Sequence, residues 1–261
     1  MATISTGFIS EIINGITVNS SIKCHKVNYN NCASRKVEYI VMHYTGNSKD
    51  NAKNNANYFA TGSRKASAHF FVDDANIYQS VELRDVAWHC GTSGTYYHKA
   101  CRNSNAFGIE MCCTAGNYKI SKKTLENSAY LCANLCKKLG ISADQVDTYV
   151  VRHYDVTHKS CPAQMAGSSN AEWKAFKEDV KRILTTGSIS KGVATEEQSA
   201  VPYLVKITAD ELNVRKGPGT GYAVATTVKR GEVYTIVQEL NGWGKLKSGA
   251  GWIKLSYTEK A

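Results

Sequence analysis

The chain has no C-x-x-C pair, and its nine cysteines (24, 32, 90, 101, 112, 113, 132, 136 and 161) are odd in number. Both facts argue against a disulfide framework and against a zinc site built from four thiolates. Reduced thiols in a cytosolic setting are the expectation. The start, Met1-Ala2-Thr3-Ile4-Ser5-Thr6-Gly7, has no basic n-region, and no apolar h-region with a small-residue cleavage site follows it. No run approaches the ~20 apolar residues that a membrane helix requires. Synthesis in the cytoplasm, without an export signal or a membrane span, is therefore predicted. Acidic residues are scarce as well: 22 against 32 lysines and arginines give a net charge of +10 and a pI near 9.1. Such a balance predicts an anionic partner. No motif interleaves aromatic and basic residues, which speaks against nucleic acid and leaves a membrane surface or an acidic polymer such as a bacterial cell wall.

What is present fits a globular protein, with 43% hydrophobic and 21% charged residues. The expected organisation is a first domain over 1–184, a small, polar linker over 185–201, and a second domain over 202–261. In the first, Val37 to Tyr44 reads as a buried strand by its apolar run. Ala68 to Val72 and Ile77 to Val81 flank the turn Asp73-Asp74-Ala75-Asn76. Phe107 to Cys112 and Tyr149 to Val151 are further short strands. Lys122 to Leu139 is predicted helical, with Ser121 as its cap and Gly140 as its stop. Glu172 to Leu184 repeats the helical pattern, and Asp50 to Ala60 is a third helix candidate. Phe8 to Val18 is expected to form a short helix and a strand. The alternation defines an α/β fold. From Tyr203 on, short alternating segments separated by Gly and Pro turns predict a small all-β barrel.

Three residue types that bind zinc stand out against this pattern. His43 ends the apolar run Tyr39-Ile40-Val41-Met42-His43, and His153 and Cys161 lie together in the segment from Arg152 to Pro162. Two imidazoles and a thiolate fill three of zinc's four tetrahedral positions and leave the fourth for water, as catalytic sites do. A lone histidine on an apolar strand is more often a hydrogen-bonded core residue, so the candidacy of His43 rests on its pairing with the other two. His158 lies nearer His153 and is the alternative third ligand; spacing and ligand softness favour Cys161.

The segments Tyr39-Ile40-Val41-Met42-His43-Tyr44-Thr45-Gly46, Ser67-Ala68-His69-Phe70-Phe71-Val72-Asp73, Ala87-Trp88-His89-Cys90-Gly91, Gly108-Ile109-Glu110 and His153-Tyr154-Asp155 through Cys161-Pro162 occur in order over about Val37 to Leu184. Together they resemble the type 2 N-acetylmuramoyl-L-alanine amidases, which include phage endolysins and share a fold with peptidoglycan recognition proteins. Leu212-Asn213-Val214-Arg215, Gly217-Pro218-Gly219, Gly242-Trp243-Gly244-Lys245-Leu246 and Gly251-Trp252-Ile253 resemble a bacterial SH3-like wall-binding module. The resemblance implies a mixed central sheet flanked by helices, followed by the small barrel. It implies Zn2+ as cofactor, peptidoglycan as substrate, and an endolysin acting at the wall after release. His43, His153 and Cys161 fall at its metal positions. Glu110 takes the place of a general base and Lys159 that of an oxyanion-stabilising ammonium. Trp88, His89 and His69 fall near its substrate groove, with a supporting role for His69 equally expected. Some phage relatives carry a tyrosine where Ala68 stands; its absence here throws more weight onto Glu110.

Duller readings compete with several of these. Glu110 is alternatively a solvated strand-end charge, and Lys159 an ordinary surface lysine. Cys132 and Cys136 share one helix side and read as core. Cys112 and Cys113 read likewise, except that alternation turns one of them away. Trp243, Trp252, Tyr222 and Tyr234 are either wall contacts or barrel core. Rival functions are a non-catalytic peptidoglycan binder, which would be expected to lack Cys161, a cytosolic muropeptide-recycling amidase, and a stem-peptide endopeptidase.

Overall fold

The computed structural model describes residues 2–189, 201–240 and 242–261. The chain divides into two compact units, Met1–Ile189 and Ser190–Ala261. Most of the expected linker lies outside the described residues.

The first unit is built on a seven-stranded mixed sheet. Its strands are β1 (Ile12–Ile13), β2 (Ile16–Asn19), β3 (Tyr39–Tyr44), β4 (Phe70–Val72), β5 (Ile77–Gln79), β6 (Ala106–Met111) and β7 (Val150–Arg152), in the spatial order β7-β3-β6-β4-β5-β2-β1. β3 lies parallel to both β6 and β7, and β6 parallel to β4. β4 and β5 form the predicted hairpin, pairing Phe70 with Gln79 and Val72 with Ile77. In its turn Asp73 Oδ1 accepts from the amides of Ala75 (2.8 Å) and Asn76 (2.7 Å). Its other oxygen takes the Ala52 amide at 2.8 Å and so anchors the start of α1 (Ala52–Ala60).

Helix α2 spans Lys122–Leu139 as the periodicity predicts. Ser121 accepts from the Thr124 amide, and Gly140 ends the helix at φ 69°, a left-handed conformation that glycine adopts without steric cost. α3 is the short helix His153–Thr157, and α4 runs over Ala171–Thr186. Strand alternation sorts side chains by face. Ile40 and Met42 of β3, Phe107, Ile109 and Met111 of β6, and Val150 of β7 enter one core with Leu131 and Leu135 of α2 and Trp173 and Phe176 of α4. The intervening residues Tyr39, Val41, Ala106 and Val151 form a second cluster on the other face.

Two expectations are corrected. The segment from Phe8 to Val18 contains no helix: Asn14 (φ 50°) and Gly15 (φ 77°) make the two-residue turn of the β1–β2 hairpin, as an Asn-Gly pair favours. Cys112 and Cys113 are both fully buried. β6 ends at Met111, so alternation no longer governs Cys113, whose amide donates to Asp50 Oδ1 at 2.6 Å.

The second unit is all β: β8 (Tyr203–Ile207), β9 (Glu211–Arg215), β10 (Val224–Lys229), β11 (Val233–Leu240), β12 (Trp243–Leu246), β13 (Trp252–Lys254) and β14 (Thr258–Lys260). They form one sheet in the order β10-β9-β13-β12-β11-β8-β14. Val205, Ile207, Val214, Ile236, Leu246 and Ile253 make its core. Trp243 and Trp252 are only 8% and 9% exposed, whereas Tyr222 is 52% exposed.

Candidate metal centre and groove

The strand alternation that fills the α2/α4 core aims His43, Gly108 and Glu110 at the opposite face. The parallel register of β3 and β6 sets Glu110 directly beside His43. β7 pairs Arg152 with Met42, so His153, one residue later, falls on the side of His43. The chain turns through α3 and brings Cys161 back, its carbonyl accepting from the Tyr154 amide at 2.9 Å. Ligand atoms of His43, His153 and Cys161 all lie within 4.8 Å of one another, and all three residues are buried. Cys161 Sγ is 3.7 Å from His43 Nδ1, and the rings of His43 and His153 are 4.9 Å apart.

The electrostatics of the trio fit a cation. Burial, reinforced by His89, His153 and Lys159, holds His43 well below the ordinary imidazole range. Burial with the charges of Lys159 and His89 lowers His153 to about 4. Both rings are therefore neutral near pH 7 and able to donate lone pairs. Nδ1 of His153 is buried with no partner in the protein, a costly arrangement unless something else accepts that lone pair. Burial, with Glu110 nearby, raises the Cys161 thiol to about 12; coordination to a metal is what deprotonates such a thiol. A softer S/N/N set of this kind suits zinc.

Glu110 is half-buried, yet its Oε2 is sealed from solvent and unpartnered. Burial raises its carboxyl to about 8, opposed by Lys159 and assisted by Asp50. Glu110 is thus no solvated strand-end charge. It faces a recess of about 350 Å³ lined also by Thr45, Asn47, Asp50, Asn54 and Tyr58. Lys159 is exposed. A larger recess of about 460 Å³, lined in part by His98, Asp147, Trp173 and Lys177, contains none of the trio and not Glu110.

Of the other predicted residues, His89 touches the trio directly. Nδ1 of His89 is 3.1 Å from Nε2 of His43. Were Nδ1 of His43, which faces the sulfur, to bind a metal, its Nε2 would carry the proton and donate to His89, fixing ring orientation as an outer partner does. Gly108 makes room for this: a Cβ there would lie 2.5 Å from His89 Cγ. His69, for which substrate contact and a supporting role are equally expected, is fully buried, its Nδ1 accepting from the Gly108 amide at 3.0 Å while Nε2 lies 3.2 Å from the Asp85 carbonyl. Burial, reinforced by Arg35 packed 2.8 Å from the same nitrogen, holds the ring well below the ordinary imidazole range. Trp88 is half-buried, with its amide on Ser67 Oγ at 2.9 Å. His158 caps α3 in a left-handed conformation and stacks on Tyr97 with ring centroids 3.5 Å apart, so it stands outside the trio.

Several supporting residues left no mark in local sequence. Buried Arg152 pairs with Asp155 at 2.5 Å and donates to the Met165 and Gly167 carbonyls. It thereby ties the end of β7 to the segment that follows Cys161. Asn103 Oδ1 accepts from the amides of His89 (3.0 Å) and Cys90 (2.8 Å). Asp50 joins Asn47, Asn55 and the Cys113 amide beside the recess. Their partners, some local and some remote in sequence, reveal them.

The family model described as N-acetylmuramoyl-L-alanine amidase matches residues 33–164, and that of the bacterial SH3 domain matches residues 208–258. The chain belongs to the N-acetylmuramoyl-L-alanine amidase family. It is 30% identical to the amidase BlyA of Bacillus subtilis over 256 residues (91% of this chain, 67% of that one). It is 33% identical to the amidase CwlL of Bacillus licheniformis over 172 residues (63% and 46%). The chain thus spans from about half to two thirds of the length of these relatives. Among solved structures it is similar to a mutant endolysin from Bacillus subtilis, with TM-score 0.52 and 27% identity over 63% of this chain and 99% of that one. The catalytic domain of XlyA is a further neighbour, with TM-score 0.51 and 26% identity over 62% and 98%. Among the described residues no helix is long and apolar enough to cross a membrane.

Proposed function

We propose that this chain is a zinc-dependent N-acetylmuramoyl-L-alanine amidase of endolysin type, cleaving the amide between N-acetylmuramic acid and L-alanine in bacterial peptidoglycan. The observation that carries this reading is the convergence of three buried ligand atoms within 4.8 Å beside a sealed, unpartnered carboxylate. His43 and His153, as neutral imidazoles, and Cys161, as thiolate, would hold the metal. Bound zinc supplies Lewis acidity and lowers the pKa of water from 15.7 to about 7.

Glu110 accepts the proton that the attacking water loses and returns it to the departing alanine amine. Burial suits this task, because a carboxyl raised toward neutrality both takes and gives a proton near pH 7. Lys159 offsets the negative charge that grows on the carbonyl oxygen. His89 holds the His43 ring in its tautomer. The recess beside Glu110 receives substrate next to the scissile bond, with Trp88 contributing to the groove.

The C-terminal unit directs the enzyme to the wall, in keeping with its match to the bacterial SH3 domain. Tethering to the wall raises the effective concentration of the catalytic unit there. Tyr222 is the exposed member of the aromatic candidates, while Trp243 and Trp252 serve mainly as packing. Synthesis in the cytoplasm and action at the wall after release complete the reading.

Mass spectrometry of digested wall tests it. New alanine amino termini with intact stem peptides are expected. Cuts within the stem would replace the amidase assignment with an endopeptidase.

A further inference from the structure

The connection from β6 to α2 carries a strained turn. Gly116 and Lys119 pair across it, and the Lys119 amide donates to the Gly116 carbonyl at 2.9 Å. Asn117 and Tyr118 fill its two central positions, both with positive φ, 49° and 60°, as a primed two-residue turn demands. The same chain builds the β1–β2 turn from Asn14 and Gly15, at φ 50° and 77°. Glycine takes that conformation without steric cost. A bulky side chain there is an outlier that the surrounding structure must hold in place.

The anchors of this turn reach three neighbouring segments. The Tyr118 amide donates to the Ser48 carbonyl at 3.2 Å. Thr114 Oγ1 donates to Asp74 Oδ1 at 3.1 Å, and the Ile120 amide to Gln164 Oε1 at 2.8 Å. These partners follow β3, β4 and Cys161, so the turn is fastened at the carboxyl ends of the parallel strands, where open α/β sheets bind ligands. Ser48 lies between Asn47 and Asp50, which line the recess shared with Glu110. Tyr118 itself is 57% exposed. The other exposed tyrosines of this unit, Tyr58 and Tyr97, are covered by Arg64 and His158. Among the described residues no ring or cation stacks on Tyr118.

We propose that Tyr118 is a substrate-contacting residue whose ring stacks on a sugar of the glycan strand, outside the recess that receives the scissile bond. The inference rests on the reading of the chain as a peptidoglycan amidase and adds a contact to the strand. The C–H bonds on the flat face of a pyranose carry partial positive charge and meet the negative face of an aromatic ring. The recess, with Asn47, Asp50, Asn54 and Glu110, offers hydrogen bonds and charge instead. A ring held in the open at a backbone cost is accounted for by a ligand that covers it.

The test uses isotopically labelled full-length protein and a peptide-free tetrasaccharide of alternating N-acetylglucosamine and N-acetylmuramic acid. Binding is followed by nuclear magnetic resonance at the amides of Asn117 and Lys119, where saturable shifts are expected in wild type. Tyr118→Phe should keep the dissociation constant, and Tyr118→Gly should raise it about 3- to 10-fold. Tyr118→Gly should also raise the melting temperature by about 2–4 °C, because Asn-Gly suits the turn. No shift in wild type, unchanged affinity in Tyr118→Gly, or an equal loss in Tyr118→Phe would overturn the proposal. So would a lower melting temperature for Tyr118→Gly, which would make the ring a packing residue. Oligosaccharide binding requires no turnover, whereas failure of the amidase reading shows in the wall digest alone.

Discussion

The two faces of the central sheet are made by the same strands and have opposite character. Toward α2 and α4, Ile40, Met42, Phe107, Ile109 and Met111 pack as an apolar layer. On the other face the alternate positions hold His43, Gly108 and Glu110, with His153 following β7. Three buried polar atoms there (His89 Nε2, Glu110 Oε2 and His153 Nδ1) have no protein partner. One face is apolar throughout; the other joins the cluster of Tyr39, Val41, Ala106 and Val151 to unmet hydrogen-bonding capacity that a metal and a substrate would satisfy. The period of two that folds the sheet therefore also assembles the site.

Substitutions sharpen that contrast. The largest effect is expected at Glu110→Ala, where wall hydrolysis should fall about a hundred- to ten-thousand-fold while the metal is kept and the melting temperature does not drop. Near-full activity would exclude the base role. On the opposite face, Phe107→Ala should cost about 3–5 kcal/mol of stability in chemical denaturation, with turnover per folded molecule little changed. His89→Ala should weaken metal binding about 10- to 100-fold in a chelator competition. Gly108→Ala should shift affinity the same way by displacing the His89 ring.

A smaller effect concerns pH. In the metal-free protein the Glu110 carboxyl is held up to about 8, above its unfolded value. Its stabilising contribution is thus complete below about pH 4.5 and is lost as pH rises through 8. Glu110→Gln should match wild type at pH 4 and exceed it by about 1–3 kcal/mol at pH 9 in urea melts of apoprotein. A constant difference at both pH values would show that burial does not control this carboxyl. Smallest of all, Ser121→Ala should cost about 1 kcal/mol by removing the cap of α2.

Much of this was legible in the sequence because it is local. The β3 run, the Asp73 turn, and α2 with Ser121 and Gly140 are written in contiguous residues, as are the segments that hold His43, His153 and Cys161. The β1–β2 hairpin was missed although Asn14-Gly15 signals it, because Ile12–Asn19 is short enough to fit either period. Asn103 and Arg35 were invisible because their partners are remote in sequence, and an arginine or asparagine looks the same in sequence whether solvated or buried. His69 shared a motif with strand residues, and only the sheet could place it beneath the groove rather than in it.

The most direct test is metal analysis of purified protein coupled to chelation. One zinc per chain is expected, its removal abolishing release of alanine amino termini from wall and its return restoring it, with Cys161→Ser unable to retain the ion. A metal-free preparation that cleaves the wall at full rate, indifferent to chelators, would contradict the assignment.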